Sequence, residues 1–228
     1  MTTIRQTQRT CAVCHRRSRH GVVGSTYTSG YSDLDFRPPP LARYNLGYEV
    51  EVCPSCGYCA RKLSKAAAEA KTAVSSAPYQ ALRARTDLPP LTQYFLCMAY
   101  LQEISRQYAD AGWAALSGAW AADDQEHAEA ARECQTLAAD LFERAQKEKQ
   151  EFMDEPGAED LLLADLYRRI GQLDTALAWA EKGLLLEPGK PLSDVLGFEI
   201  QLAAAKDEHC HSMGEILGPH GEGSSEKS

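Results

Sequence analysis

Cys11-Ala-Val-Cys14, thirty-eight residues of other chain, and then Cys53-Pro-Ser-Cys56-Gly57 decide how this sequence folds. A C-x-x-C pair wraps the backbone tightly enough for two sulfurs to take two corners of a metal tetrahedron, and a second pair supplies the other two. The expected ligands are therefore Cys11, Cys14, Cys53 and Cys56. Gly57 follows the second knuckle, where so tight a turn favours a positive φ. At the matching place in the first knuckle stands His15. A closed thiolate site points to structural Zn2+. Iron is the rival, because Cys-Pro-x-Cys-Gly is also a rubredoxin-like knuckle. The insert exceeds the roughly 15–20 residues of a simple ribbon, so an elaborated one is expected over 11–57.

Working outward, residues 1–10 read as a flexible lead. Tyr44, Leu46, Tyr48, Val50 and Val52 alternate with other residues and predict a half-buried strand entering the second knuckle. Arg37-Pro-Pro-Pro40 reads as a loop. After Gly57 the period changes. Leu63, Ala66, Ala67, Ala70 and Val74 predict a helix over 58–76, with Cys59 in its first turn. Further helices are predicted over 79–86, 91–105, 106–122 and 125–152, the last ended by Glu155-Pro-Gly157. Cys97 and Cys134 fall on apolar stripes and read as buried thiols.

The clearest helical unit runs from Asp160 to Pro188. Ala164, Tyr167, Gly171, Ala176 and Pro188 stand where a tetratricopeptide repeat of about 34 residues puts packing and turn residues. Gly183 stands where that repeat has Ala. Such a unit needs neighbours, so 58–206 is expected to be one helical array closed by a helix over 191–206. Its first helix would turn Leu162, Asp165 and Arg169 to a groove or to solvent. The segment 207–228 reads as a disordered tail. Within it His209-Cys210-His211, beside Asp207 and Glu208, has ligand chemistry. The fold class is thus mostly α, with a small β-containing zinc-ribbon module ahead of a tetratricopeptide-like array.

Charge is unevenly placed. Residues 1–62 hold nine Lys/Arg against four Asp/Glu, the rest fifteen against twenty-eight, for a net −8. A polar N-terminus and the lack of a long apolar run argue against a signal peptide or membrane span, and paired cysteines suit a reducing cytoplasm. No G-x-S-x-G, H-E-x-x-H or phosphate-cradling Gly loop occurs, so no enzyme is expected.

The order of motifs resembles an uncharacterised bacterial family classed as a domain of unknown function. The residues that carry the likeness are the first C-x-x-C, Ser32-Asp33-Leu34-Asp35-Phe36, Tyr48 to Val52 leading into Cys53-Pro-Ser-Cys56-Gly57-Tyr58, and the terminal helical hairpin. It covers roughly 11–190 and departs at His15, at Glu51 where an aromatic is expected, and at Cys59 where Ala is expected. It implies the architecture rather than an activity. The expected function is a non-enzymatic zinc-binding scaffold whose helical groove takes a protein or peptide. The alternative is nucleic-acid binding through Arg16, Arg17, Arg19, Arg43 and Arg61, with the helices as a partner arm. A small iron electron carrier is the third reading.

Overall fold

The computed structural model describes residues 2–26 and 28–218. In chain order they form β1 (Thr3–Thr10), β2 (Arg17–Ser25), α1 (Pro40–Arg43), a 3-10 turn (Leu46–Tyr48), β3 (Glu51–Val52), β4 (Cys59–Ala60), α2 (Ala70–Val74), α3 (Ala77–Arg83), α4 (Pro90–Ile104), α5 (Tyr108–Asp123), α6 (Ala128–Lys147), α7 (Ala158–Arg169), α8 (Leu173–Leu185), α9 (Leu192–Ala204) and α10 (Gly214–Leu217). The chain divides into two compact units, Met1–Tyr27 with Tyr44–Phe152, and Thr28–Arg43 with Met153–Ser228. The sequence suggests a ribbon module over 11–57 and one array over 58–206. Instead Thr28–Arg43 leaves the ribbon for the second unit, and the helices divide after Phe152.

In the first unit β1 and β2 form an antiparallel ribbon around the first knuckle, and β3 and β4 a shorter one around the second. The expected flexible lead is therefore mostly strand. Its sequence hides this because Thr-Ile-Arg-Gln-Thr-Gln-Arg-Thr is polar on both faces, so no apolar alternation marks it. The strand expected over 44–52 shrinks to Glu51–Val52, and Tyr44 lies in the open at 82% exposure. Nor does the helix expected from Tyr58 form. The chain first pairs as β4, and Leu63 then returns to the first knuckle, its carbonyl accepting from Ala12 N at 2.8 Å. Only Ala70–Val74 is helical there, and Cys59 lies in β4 rather than in a helix turn.

Helices α4, α5 and α6 pack in succession. Small residues let α5 approach its neighbours closely: a β-carbon on Gly112 would sit 2.6 Å from the Phe142 ring. That ring stacks on Phe152 at 4.5 Å and meets Trp113 edge-on at 5.3 Å. Cys97 and Cys134 are fully buried in this core, as their stripes imply.

The second unit is built on the helical hairpin α7–α8, with α9 packed against it. Gly171 makes the turn at φ +80°. At Gly183 the departure from Ala has a steric cause: a β-carbon there would lie 2.9 Å from Leu196 and 3.1 Å from the Asp160 Cβ. Leu34 joins Leu161, Val195 and Leu196 in the core. The face of α7 expected to line a groove is instead filled by the unit's own chain: Leu162 and Asp165 are buried and Arg169 is half-buried. Arg169 pairs with Asp35 at 3.2 Å. Arg168 is fully enclosed. It donates to Asp165 at 2.6 Å, to Glu199 at 2.8 Å, and to the carbonyls of Asp207 and His209 at 2.6 and 2.7 Å. The expected disordered tail is thus ordered from 207 to 218, because its carbonyls satisfy a buried guanidinium and Ser212 bridges to Asp33. The remainder of that expected tail lies outside the described residues.

Candidate metal centre

The two knuckles fold alike. In the first, Cys11 N donates to Arg16 O and His15 N donates to Cys11 O, both at 2.9 Å. In the second, Cys53 N donates to Tyr58 O at 2.8 Å and Gly57 N to Cys53 O at 2.9 Å. The residue after each second cysteine has a left-handed backbone, His15 at φ +60° and Gly57 at +74°. His15 therefore occupies the conformation expected of glycine, at a steric cost of about 1–2 kcal/mol.

These turns bring all four expected ligands together. The sulfurs of Cys11, Cys14, Cys53 and Cys56 lie within 4.8 Å of one another. Across the knuckles, Cys11 and Cys56 are 3.7 Å apart and Cys14 and Cys53 are 3.5 Å apart. A tetrahedron with metal–sulfur bonds of about 2.3 Å has edges of about 3.8 Å. The cluster therefore fits a four-thiolate metal centre, with no disulfide among the four.

Electrostatics favour deprotonation at one member first. Burial raises the Cys53 thiol, but backbone N–H groups of Cys56 and Ser55, with contacts from Cys14 and Cys56, outweigh it and bring the group to about 7. Burial pushes Cys11 up, and Cys56 is pushed well above its ordinary value by burial and by the neighbouring thiols. Four thiols so close cannot all ionise without a cation among them, and a bound metal supplies that charge.

Glu51 is a site residue that spacing alone does not reveal. It is buried at 4% exposure, and its carboxylate accepts from Arg9 Nε at 2.9 Å and from Leu63 N at 2.7 Å. It thereby ties the strand before the first knuckle to the chain after the second. The signal in the sequence is the departure itself, an acid where the resemblance leads one to expect an aromatic. Cys59 is no ligand. It donates to Gly57 O at 3.3 Å, and its thiol is held below its ordinary value chiefly by Cys97. His15 is exposed and His20 bonds Ser18 at 2.7 Å.

At the C-terminal end, His209 and His211 both meet Asp207, at 2.8 and 3.2 Å, and His211 also meets Glu215 at 3.0 Å. The Asp207 carboxyl is drawn down to about 2 by the His209 backbone and ring. Among the described residues only the four-cysteine group brings three or more potential ligands within metal-binding range.

A family model described as an uncharacterized protein conserved in bacteria, DUF2225, matches residues 5–193. The chain belongs to the DUF2225 family. The DUF2225 match takes in both knuckles and the α7–α8 hairpin, so the metal centre and the helical part lie within one family region. No curated protein and no solved structure matches the chain.

Proposed function

We propose that this chain is a non-enzymatic zinc-binding scaffold: a four-thiolate zinc ribbon organises one unit, and the helical hairpins serve protein or peptide interaction. The observation that carries the metal part is the set of four sulfurs within 4.8 Å of one another on two matching knuckles. Zinc is preferred to iron because closed thiolate sites of this kind are most often structural zinc. The non-enzymatic reading rests on the lack of recognised catalytic motifs in the sequence. A reducing cytoplasm suits eight free thiols. No helix among the described residues is long and apolar enough to cross a membrane.

The interaction part is narrower than the sequence suggests. With the α7 face filled by the unit's own chain, a partner needs another surface. The exposed apolar pair Leu185 and Leu186, at 82% and 51%, ends α8 and is such a candidate.

Elemental analysis of protein purified without chelators tests the metal: one zinc per chain and no colour are expected. A red protein containing iron would establish the electron-carrier reading instead, and protein without either metal would overturn the site. A pull-down with the Leu185→Ser, Leu186→Ser variant tests the partner surface, which is refuted if the same proteins are retained.

A further inference from the structure

The ribbon β1–β2 has an arrangement that neither the metal nor the helices use. The first 32 residues contain five arginines and no acidic residue. Several arginines find carboxylates: Arg9 of β1 meets Glu51, and beyond the ribbon Arg43 meets Asp33, Arg61 meets Glu49, Arg85 meets Glu133 and Arg106 meets Glu148. Two of the arginines suggested by sequence for a phosphate contact, Arg43 and Arg61, are therefore already engaged. Arg5, Arg16, Arg17 and Arg19 are exposed, and none has an ion-pair partner among the described residues.

Strand register sorts these side chains. Thr10 faces Arg17, Gln8 faces Arg19 and Gln6 faces Gly21 across the ribbon. Residues directly opposite share a face, as do alternate residues along each strand. One face thus presents Arg17 and Arg19 beside Gln6, Gln8 and Thr10, all exposed. The same face carries an aromatic. Gly21 has no side chain, and the space is taken by Tyr48: a β-carbon on Gly21 would lie 2.8 Å from the Tyr48 Cε1. Tyr48 keeps 37% exposure. Arginines next to an exposed aromatic, with amide side chains able to pair with bases, form the combination that binds single strands: cations for phosphates and a ring for a base.

We propose that this ribbon face binds single-stranded nucleic acid, with Arg17 and Arg19 on phosphates and Tyr48 stacking a base. The inference is independent of the helical-interaction reading, since it uses only residues of the ribbon and the turn before β3. A single strand is favoured over a duplex because a duplex keeps its bases stacked and offers no ring face to Tyr48.

The test uses the full-length, zinc-loaded chain and fluorescently labelled mixed-sequence single strands of about 12 nucleotides, RNA and DNA, within the usual site-size range. Anisotropy is read over a series of salt concentrations. With Arg17 and Arg19 on phosphates, log K against log salt should fall with a slope of about −1.4, from about −0.7 per phosphate. The Arg17→Ala, Arg19→Ala variant should remove most of that slope, while Arg85→Ala, Arg106→Ala, which removes the same charge elsewhere, should leave it unchanged. Tyr48→Leu should weaken binding about fivefold or more without changing the slope. Retained zinc and an unchanged circular dichroism spectrum show that each variant is folded. No binding at low salt, equal losses from the two arginine pairs, or tighter binding of the matching duplex would each overturn the proposal.

Discussion

Replacing Arg168 by Met should do more damage to the second unit than any surface change. The guanidinium is fully enclosed and satisfies two buried carboxylates and two carbonyls at once. Met fills a similar volume but leaves Asp165 and Glu199 facing each other in the interior without a cation. Removing one partner of a buried ion pair costs about 3–5 kcal/mol. The two carbonyls add less than the roughly 1–3 kcal/mol of a trapped orphan, because the segment that carries them can detach and meet water. The net loss of about 3–5 kcal/mol is a large part of the roughly 5–15 kcal/mol that holds a domain together. Urea unfolding read at Trp179 reports this unit, while Trp113 and Trp120 report the other. Hydrogen exchange across 207–217 should rise first, since those backbone groups lose their anchor. Adding Asp165→Asn and Glu199→Gln to Arg168→Met should restore part of the loss, because no unpaired charge then remains buried. A loss under about 1 kcal/mol with unchanged exchange over 207–213 would show that the network does not hold this segment.

Cys53→Ser should release the metal and unfold both knuckles while most helical circular dichroism persists, because structural zinc supplies about 10–16 kcal/mol of folding energy locally; full zinc occupancy in that variant would refute the ligand set. Burial, then the Glu199 charge, lifts Asp165 from its ordinary 3.8 to about 7 against the pull of Arg168. The folded state thus holds that proton more tightly than the unfolded chain, so stability should fall as pH rises between about 4 and 7, by at most about 1.4 kcal/mol per unit. Asp165→Asn should flatten that slope, and an unaltered pH profile would contradict the assignment. His15→Gly should relieve the left-handed strain and stabilise the first knuckle by up to about 1 kcal/mol, read as slower zinc loss to a competing chelator, whereas His15→Val should speed it.

The two C-x-x-C pairs determined the four-cysteine cluster on their own, because a knuckle is a local structure whose sulfur positions are set by spacing. Helices α4, α5, α7, α8 and α9 were likewise legible, since their apolar period and the turn at Gly171 act within a few residues of chain. What the sequence left undecided depends on partners distant along the chain. The stretch 44–52 alternates like a strand, but only its last two residues find a ladder partner, in β4. Leu63 and the alanines after it carry a helical stripe, yet the backbone of Leu63 is claimed by Ala12 and Glu51 before a helix can start. Residues 207–218 have the composition of a tail, and they are ordered because a buried arginine 39 positions away from Asp207 needs their carbonyls. Tyr48 and Gly21 are far apart in sequence and meet on one ribbon face only in the folded chain. Local periodicity encodes a preference for one residue's neighbours. Which buried charge or open hydrogen-bond site a segment must satisfy is a property of the folded whole, and there the tertiary structure overruled the pattern.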